Sequence, residues 1–179
     1  YREKELFILE TKDTTYCFRV MPSGHLEHLY YGRKINLKHG YEPLLQKTAF
    51  LCGNQISYSK EFPNVGLKDI CLEISSYGKG DIREAFIDIT HEDGSSTSDF
   101  RFMDARILNV KNDLKTLPGA YLKQQGESPV SLEIELYDFN YDISLLLAYS
   151  VFYESNVITR SAKVINSSKG KIWLERIMS

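Results

Sequence analysis

The stretch "VSLEIELYDFNYDISLLLAYSVFYESNVITRSAKVIN", Val130 to Asn166, decides the fold. In its first seven residues Val130, Leu132, Ile134 and Leu136 share one face, and Ser131, Glu133 and Glu135 share the other. That alternation is the mark of a half-buried antiparallel strand. "YDISLLLAYSVFY" then sets Tyr141, Ile143, Leu145, Leu147, Tyr149, Val151 and Tyr153 against Asp142, Ser144, Ala148 and Ser150, which predicts a strand of about 13 residues. "VITRSAKVIN" and "KIWLERIM" follow, so Val130 to Met178 reads as a run of four long strands joined by short turns. "NSS" at Asn166–Ser168 fits a glycosylation sequon but is read as one of those turns.

Upstream the same period recurs. "TYCFRVM" (Thr15–Met21), the turn "PSG" and "HLEHLYYG" (His25–Gly32) predict a hairpin. "AFIDIT" (Ala85–Thr90), the Asp93–Gly94 turn and "DFRFMDARILNV" (Asp99–Val110) predict a second. "YEPLLQKTAF" (Tyr41–Phe50) reads as a short helix with Pro43 in its first turn. Leu51 to Asp69 shows neither period, and a long irregular segment inside a compact domain is usually functional or disordered. The class is therefore all-β: one large antiparallel two-sheet sandwich over residues 1–179, with at most one or two short helices.

Bulk properties exclude several functions. A net charge of −2 gives no electrostatic footprint for nucleic acid or an anionic membrane. No apolar run reaches the roughly 20 residues of a helical membrane span. Cys17, Cys52 and Cys71 are sparse and form no CxxC, which argues against a disulfide framework and against zinc. With no visible secretory signal, the expectation is a cytoplasmic protein. The missing initiating Met and the strand-like ending "WLERIMS" predict a piece of a longer protein.

Candidate chemistry is thin. His25 and His28 sit three apart on a predicted strand and point to opposite faces, so they share no metal without a bulge; with His39 and His91 they read as solvated. No GxSxG, HExxH or P-loop occurs, and Cys52 reads as a small buried thiol. Glu133 and Glu135 read as a solvated sheet face. Asp81, Glu84, Asp99 and Asp104 lie nearer glycine-rich turns, with no recognisable acid–base partner. Twelve tyrosines are many for this length; packing is their default role and stacking on sugars the minority one. In "SYGKGDIREAF", Gly78 and Gly80 read as a backbone turn before an Ile82–Thr90 strand, and Asp81 and Arg83 as a polar pair on one face that holds the loop.

Several ordered blocks resemble the opening domain of bacterial α-galactosidases of glycoside hydrolase family 36. They are "YCFRVMPSGHLEHLYYGRKI", "EISSYGKGDIREAFIDITHEDGSSTSDFRFMDARI", "LPGAYLKQQGESPVSLEIELYD" and "YSVFYESNVITRSAKVINSSKGKIWLERIMS". They cover nearly the whole chain, with the weakest match at Leu51–Asp69.

The resemblance implies a β-supersandwich of the galactose-mutarotase kind. It also implies a catalytic (β/α)8 barrel and a C-terminal β domain elsewhere in the parent, with two barrel aspartates as catalysts and none in this chain. The parent would release terminal α-galactose from sugars such as melibiose and raffinose with retention, without a cofactor. This domain would pack on its own barrel, help build a homo-oligomer (a tetramer in some members) and send a loop into a neighbour's sugar site. By sequence order that loop carries Phe50 and Asn54; Asn54 stands where an acid is common, and the usual arginine is not recognisable, which fits altered sugar selectivity or a different oligomer. Tyr77, Gly78, Gly80, Asp81 and Arg83 become a structural or interface signature. Two rivals stand beside this reading: a stand-alone carbohydrate-binding sandwich, and a sugar epimerase needing a His–Glu pair that the sequence does not display.

Overall fold

The computed structural model describes residues 6–46, 53, 56–111, 114, 116, 118–120 and 129–178. Nine strands are described: β1 (Leu6–Glu10), β2 (Thr14–Val20), β3 (Leu26–Arg33), β4 (Ile87–His91), β5 (Arg101–Leu108), β6 (Val130–Asp138), β7 (Ile143–Phe152), β8 (Val157–Asn166) and β9 (Ile172–Ile177). They form two facing layers, so the all-β sandwich read from the alternation is the architecture observed.

The first layer is the meander β5–β6–β7–β8, all antiparallel. The register Ile134↔Leu147 and Leu136↔Leu145 stacks the two apolar stripes side by side. Ile143, Leu145, Leu147 and Tyr149 are all buried, because every second residue of β7 faces the core. The stripe ends sooner than its pattern suggests. β7 has 10 residues, since Asp142 (φ 52°) turns the chain before Ile143. Val130 and Tyr153, at the open end, are exposed beside β1.

The second layer is β1–β2–β3 at one end and β4–β9 at the other. The irregular segment 71–76 joins them. His28 donates its amide to Cys71 O, Glu73 its amide to Leu26 O, and Ile87 its amide to Ser75 O. The hairpin through Pro22–Gly24 forms as expected, closed by Met21 N–His25 O and by Gly24 at φ 89°. A bulge opposite Cys17 and Phe18 leaves Leu29 unpaired, and both opposing side chains are wholly buried. Phe18, Leu26, Ile87 and Ile89 meet Ile134, Leu136, Leu145 and Leu147 in one core.

Three expectations fail: the second hairpin, the start of the Ile82–Thr90 strand and the extent of the helix at Pro43. The Asp93–Gly94 turn forms, with His91 N on Ser95 O, but β4 and β5 are no hairpin. β4 pairs along its length with β9 and meets the Ser75–Ser76 segment at Ile87, while β5 pairs with β6 in the other layer. The chain crosses to the other layer instead, and its polar groups are met by Tyr77 O for Ser98 N and by the Asp138 carboxylate for Asp99 N. β9 likewise leaves β8, after Asn166 Oδ1 accepts from Ser168 N and Asn166 Nδ2 donates to Gly170 O. The Ile82–Thr90 strand begins only at Ile87, and Ile82 is exposed. Pro43 sits in a 3-10 turn of three residues, Glu42–Leu44; Phe50, Cys52 and Asn54 lie outside the described residues.

The layered core makes one prediction. Leu147→Ala should lower stability by about 2–5 kcal/mol in urea unfolding. Ile107→Ala, at a side chain 72% exposed, should stay within about 0.5 kcal/mol.

Candidate functional site

Three polar networks sit in this frame. The first is the glycine-rich turn. Gly78 (φ 103°), Lys79 (φ 53°) and Gly80 (φ 85°) are three successive left-handed residues, and the turn closes through Asp81 N–Gly78 O at 3.0 Å. A Cβ on Gly78 would lie 2.5 Å from Thr97 Cγ2, so glycine is needed for space as well as for φ. The turn delivers Asp81 to a buried position, where Arg83 grips it with two bonds, Nε–Oδ1 2.9 Å and Nη2–Oδ2 2.8 Å. The same guanidinium donates to Leu67 O and Ile70 O, both at 2.8 Å. Burial pushes the Asp81 carboxyl up, but the bonds from Arg83 outweigh it and hold the group below the ordinary aspartate range. Through these bonds the pair ties the glycine turn to the 3-10 turn Leu67–Asp69. Tyr77, Gly78, Gly80, Asp81 and Arg83 do come together, with Tyr77 half exposed at the rim.

The second network was not anticipated. Glu73, its side chain 2% exposed, lies between the layers. Tyr16 of β2 donates to it at 2.6 Å, Tyr149 of β7 at 2.8 Å and Arg160 of β8 at 3.1 Å. His28 Nδ1 of β3 lies 3.0 Å from its other oxygen. Burial pushes the carboxyl pKa up; the hydrogen bonds from His28, Tyr16 and Tyr149 and the charge of Arg160 more than reverse this and lower it. Burial, and then the Glu73 charge, drive both tyrosines well above their ordinary range. Two signals in the sequence pointed here. Tyr149 sits in the apolar stripe of β7, and Arg160 sits on the Ile158–Ala162–Val164 face of β8 that packs on the core. A buried phenol and a half-buried guanidinium on a core-facing stripe each call for an acceptor.

The third network joins Ser23, His25, Tyr58 and Asp99. His25 Nε2 lies 3.1 Å from Asp99 Oδ1, Ser23 Oγ lies 3.0 Å from His25 Nδ1, and Tyr58 donates to Asp99 Oδ2 at 2.9 Å. Ser23, His25 and Asp99 are all buried, so this Ser–His–Asp order has no open nucleophile. His39 is exposed as expected, but the other three histidines are not solvated. His25 and His91 are buried, His28 is bound to Glu73, and the ring of His91 stacks 3.5 Å from that of Tyr141. Glu133 and Glu135 are half-buried and engaged by Arg106 and Ser144. Among the described residues, no three His, Cys, Asp or Glu side chains converge as a metal site requires.

Two concavities lie apart from these networks. An apolar groove of about 490 Å³ runs between β1 and the β5–β6 edge, past Phe7, Ile8, Ile107, Val130 and Tyr153. A polar cleft of about 370 Å³ lies among the turns that carry Asp93, Asn140, Tyr141, Ser168 and Lys171. Neither is lined by Glu73, Asp81 or Asp99.

Two packed antiparallel layers, with the long meander as one and the bridged second layer as the other, define a β-supersandwich. The chain belongs to the glycosyl hydrolase family 36 N-terminal domain family, whose model matches residues 24–179. It is 34% identical over 173 residues to the bifunctional α-galactosidase/sucrose kinase AgaSK of Mediterraneibacter gnavus, covering 97% of this chain and 18% of that protein. The α-galactosidase of Lactobacillus brevis superposes with a TM-score of 0.90 at 29% identity, over 99% of this chain and 24% of that one. A variant of the Geobacillus stearothermophilus α-galactosidase AgaA, crystallised with raffinose, superposes at 0.88 with 27% identity, over 98% of this chain and 24% of that one. The chain thus spans about a fifth to a quarter of the length of these relatives.

Two predictions follow from the networks. Glu73→Gln leaves the Arg160 charge without its buried partner and should lower stability at neutral pH by about 3–5 kcal/mol. Because the folded pKa of Glu73 is lowered, its contribution is present above the unfolded value, near 4.3. That contribution fades as the pH falls through the lower folded value. Urea unfolding of the parent chain should therefore weaken below about pH 4.3, and the gap to Glu73→Gln should close there. A gap that stays constant from pH 7 to pH 2 would refute the assignment. At the turn, Gly78→Ala should lose about 1–3 kcal/mol, and more than Gly94→Ala. Gly94 shares a left-handed φ of 81° but has nothing within 4 Å of the added methyl.

Proposed function

We propose that this chain is the non-catalytic N-terminal β domain of an α-galactosidase that removes terminal α-galactose from sugars such as melibiose and raffinose with retention. The support is twofold: its relatives are α-galactosidases, and it matches only about a fifth to a quarter of their length. The observation that carries the non-catalytic role is the state of three buried carboxylates. Glu73, Asp81 and Asp99 are each engaged by donors on both oxygens, and none lines a described cavity. A general acid or nucleophile has to present a free oxygen to substrate. His28 and Glu73 do pair, as an epimerase would need, but Glu73 has no oxygen left for a sugar.

The domain's work is then support. β9 exposes Trp173, Leu174 and Ile177, and Met178 follows them, apolar side chains fit to pack on the rest of the parent. Ile56, Tyr77 and Ile82 make a second exposed group beside the glycine turn. In this reading Phe50 and Asn54 contribute to a sugar site of a neighbouring subunit in a homo-oligomer, and the parent works in the cytoplasm without a cofactor.

The test is turnover of raffinose and of p-nitrophenyl α-galactoside. The longer protein that includes this chain should hydrolyse both, and the 179-residue chain alone should hydrolyse neither. Turnover by the isolated chain, or an inactive longer protein, would overturn the reading. Millimolar or tighter binding of galactose or raffinose by the isolated chain would favour a stand-alone sugar-binding module instead.

A further inference from the structure

We propose that the apolar groove beside β1 is the seat of one further β-strand, supplied by the parent polypeptide outside residues 1–179, which joins the β1–β2–β3 sheet as a fourth strand. The groove touches every residue of β1, Leu6 to Glu10. Successive side chains of a strand point to opposite faces, so a concavity that meets all of them runs along the strand's edge. β2 occupies one edge of β1 over its full length. Among the described residues no strand pairs with the other edge. Unpaired edge amides and carbonyls are a template for an added strand.

The opposite wall shows what the added strand would cover. Ile107 of β5 lies across from Leu132 of β6, and Val130 of β6 across from Val151 of β7. Leu132 belongs to the core and Val151 packs against it, so Ile107 and Val130 are on the core-facing side of their sheet. Yet Ile107 is 72% exposed, and Val130 and Tyr153 are exposed with it. The first layer thus reaches past β1, and core-facing side chains lie bare where the second layer stops. Of the described lining residues only Glu10 is charged, and Lys34 answers it at 3.7 Å. The seat therefore suits an extended segment with apolar side chains at alternate positions and needs no countercharge from it.

The occupant is the parent's own chain rather than a second copy. This chain spans about a fifth to a quarter of the length of its relatives, so most of such a polypeptide lies outside it. A tethered strand docks at an effective concentration that a separate copy does not reach. The choice of occupant rests on the reading above that the chain is a domain of a longer protein, whereas the geometry of the seat does not.

The experiment uses the longer protein with Ile107→p-benzoylphenylalanine, an apolar photo-crosslinking side chain placed at the groove. Irradiation should join this position to a peptide of the same polypeptide outside residues 1–179. A cross-link within residues 1–179 would mean that this chain covers its own groove, and a cross-linked dimer would mean a second copy. Either result overturns the proposal, as does the absence of a cross-link. Hydrogen exchange of the unsubstituted proteins is the second measurement. Relative to Leu145 and Leu147 of β7, the slowest amides of Leu6–Glu10 should exchange at least about 10-fold more slowly in the longer protein than in the chain alone. An unchanged ratio would overturn the proposal. Raffinose turnover by the longer protein separates the two readings. A cross-link without turnover would remove the α-galactosidase reading and keep the strand, whereas turnover without the cross-link would remove the strand alone.

Discussion

The carboxylate of Glu73 is the constraint on which the two-layer arrangement turns. An ionised group in an apolar interior is tolerated only when donors replace the water it lost. Here the donors come from four strands in both layers: Tyr16 and His28 from one, Tyr149 and Arg160 from the other. Each donor is fixed by its strand's register, so a one-residue slip in β2, β3, β7 or β8 would strand the charge. Apolar packing of Phe18, Leu26, Leu145 and Leu147 supplies the bulk driving force but tolerates sliding. The Glu73 cluster supplies direction, which generic packing lacks.

The glycine turn follows the same logic on a smaller scale. Asp81 is buried and Arg83 answers it, while the rest of the guanidinium satisfies two carbonyls of the adjoining 3-10 turn. Both clusters spend their hydrogen-bonding capacity inward. Active sites do the reverse, keeping titratable groups under-satisfied and open to a cavity. The contrast supports the proposed reading of this chain as a supporting domain, with apolar side chains exposed on β9.

Much of the fold was legible because strands write a period of two into the chain. The faces of β6 and β7 were read correctly from Leu132 to Tyr149, and the Pro22–Gly24 hairpin from its turn residues. Pairing was less legible. β4 lies mid-chain and pairs with β9 near the end of the sequence, and nothing local in "AFIDIT" names that partner. The Glu73 cluster escaped for the same reason, since its partners lie 45 to 87 positions away in the chain. Its trace was present all the same, in a tyrosine and an arginine set on core-facing positions of β7 and β8. Asp81 and Arg83 were found because their contact is local, two positions apart.

The most direct test of the inter-layer tie is a double-mutant cycle between Glu73→Gln and Tyr149→Phe, read by urea unfolding at pH 7. The account predicts a coupling of about 1 kcal/mol or more, because the two side chains touch across the layers. Additivity to within about 0.3–0.5 kcal/mol would contradict it.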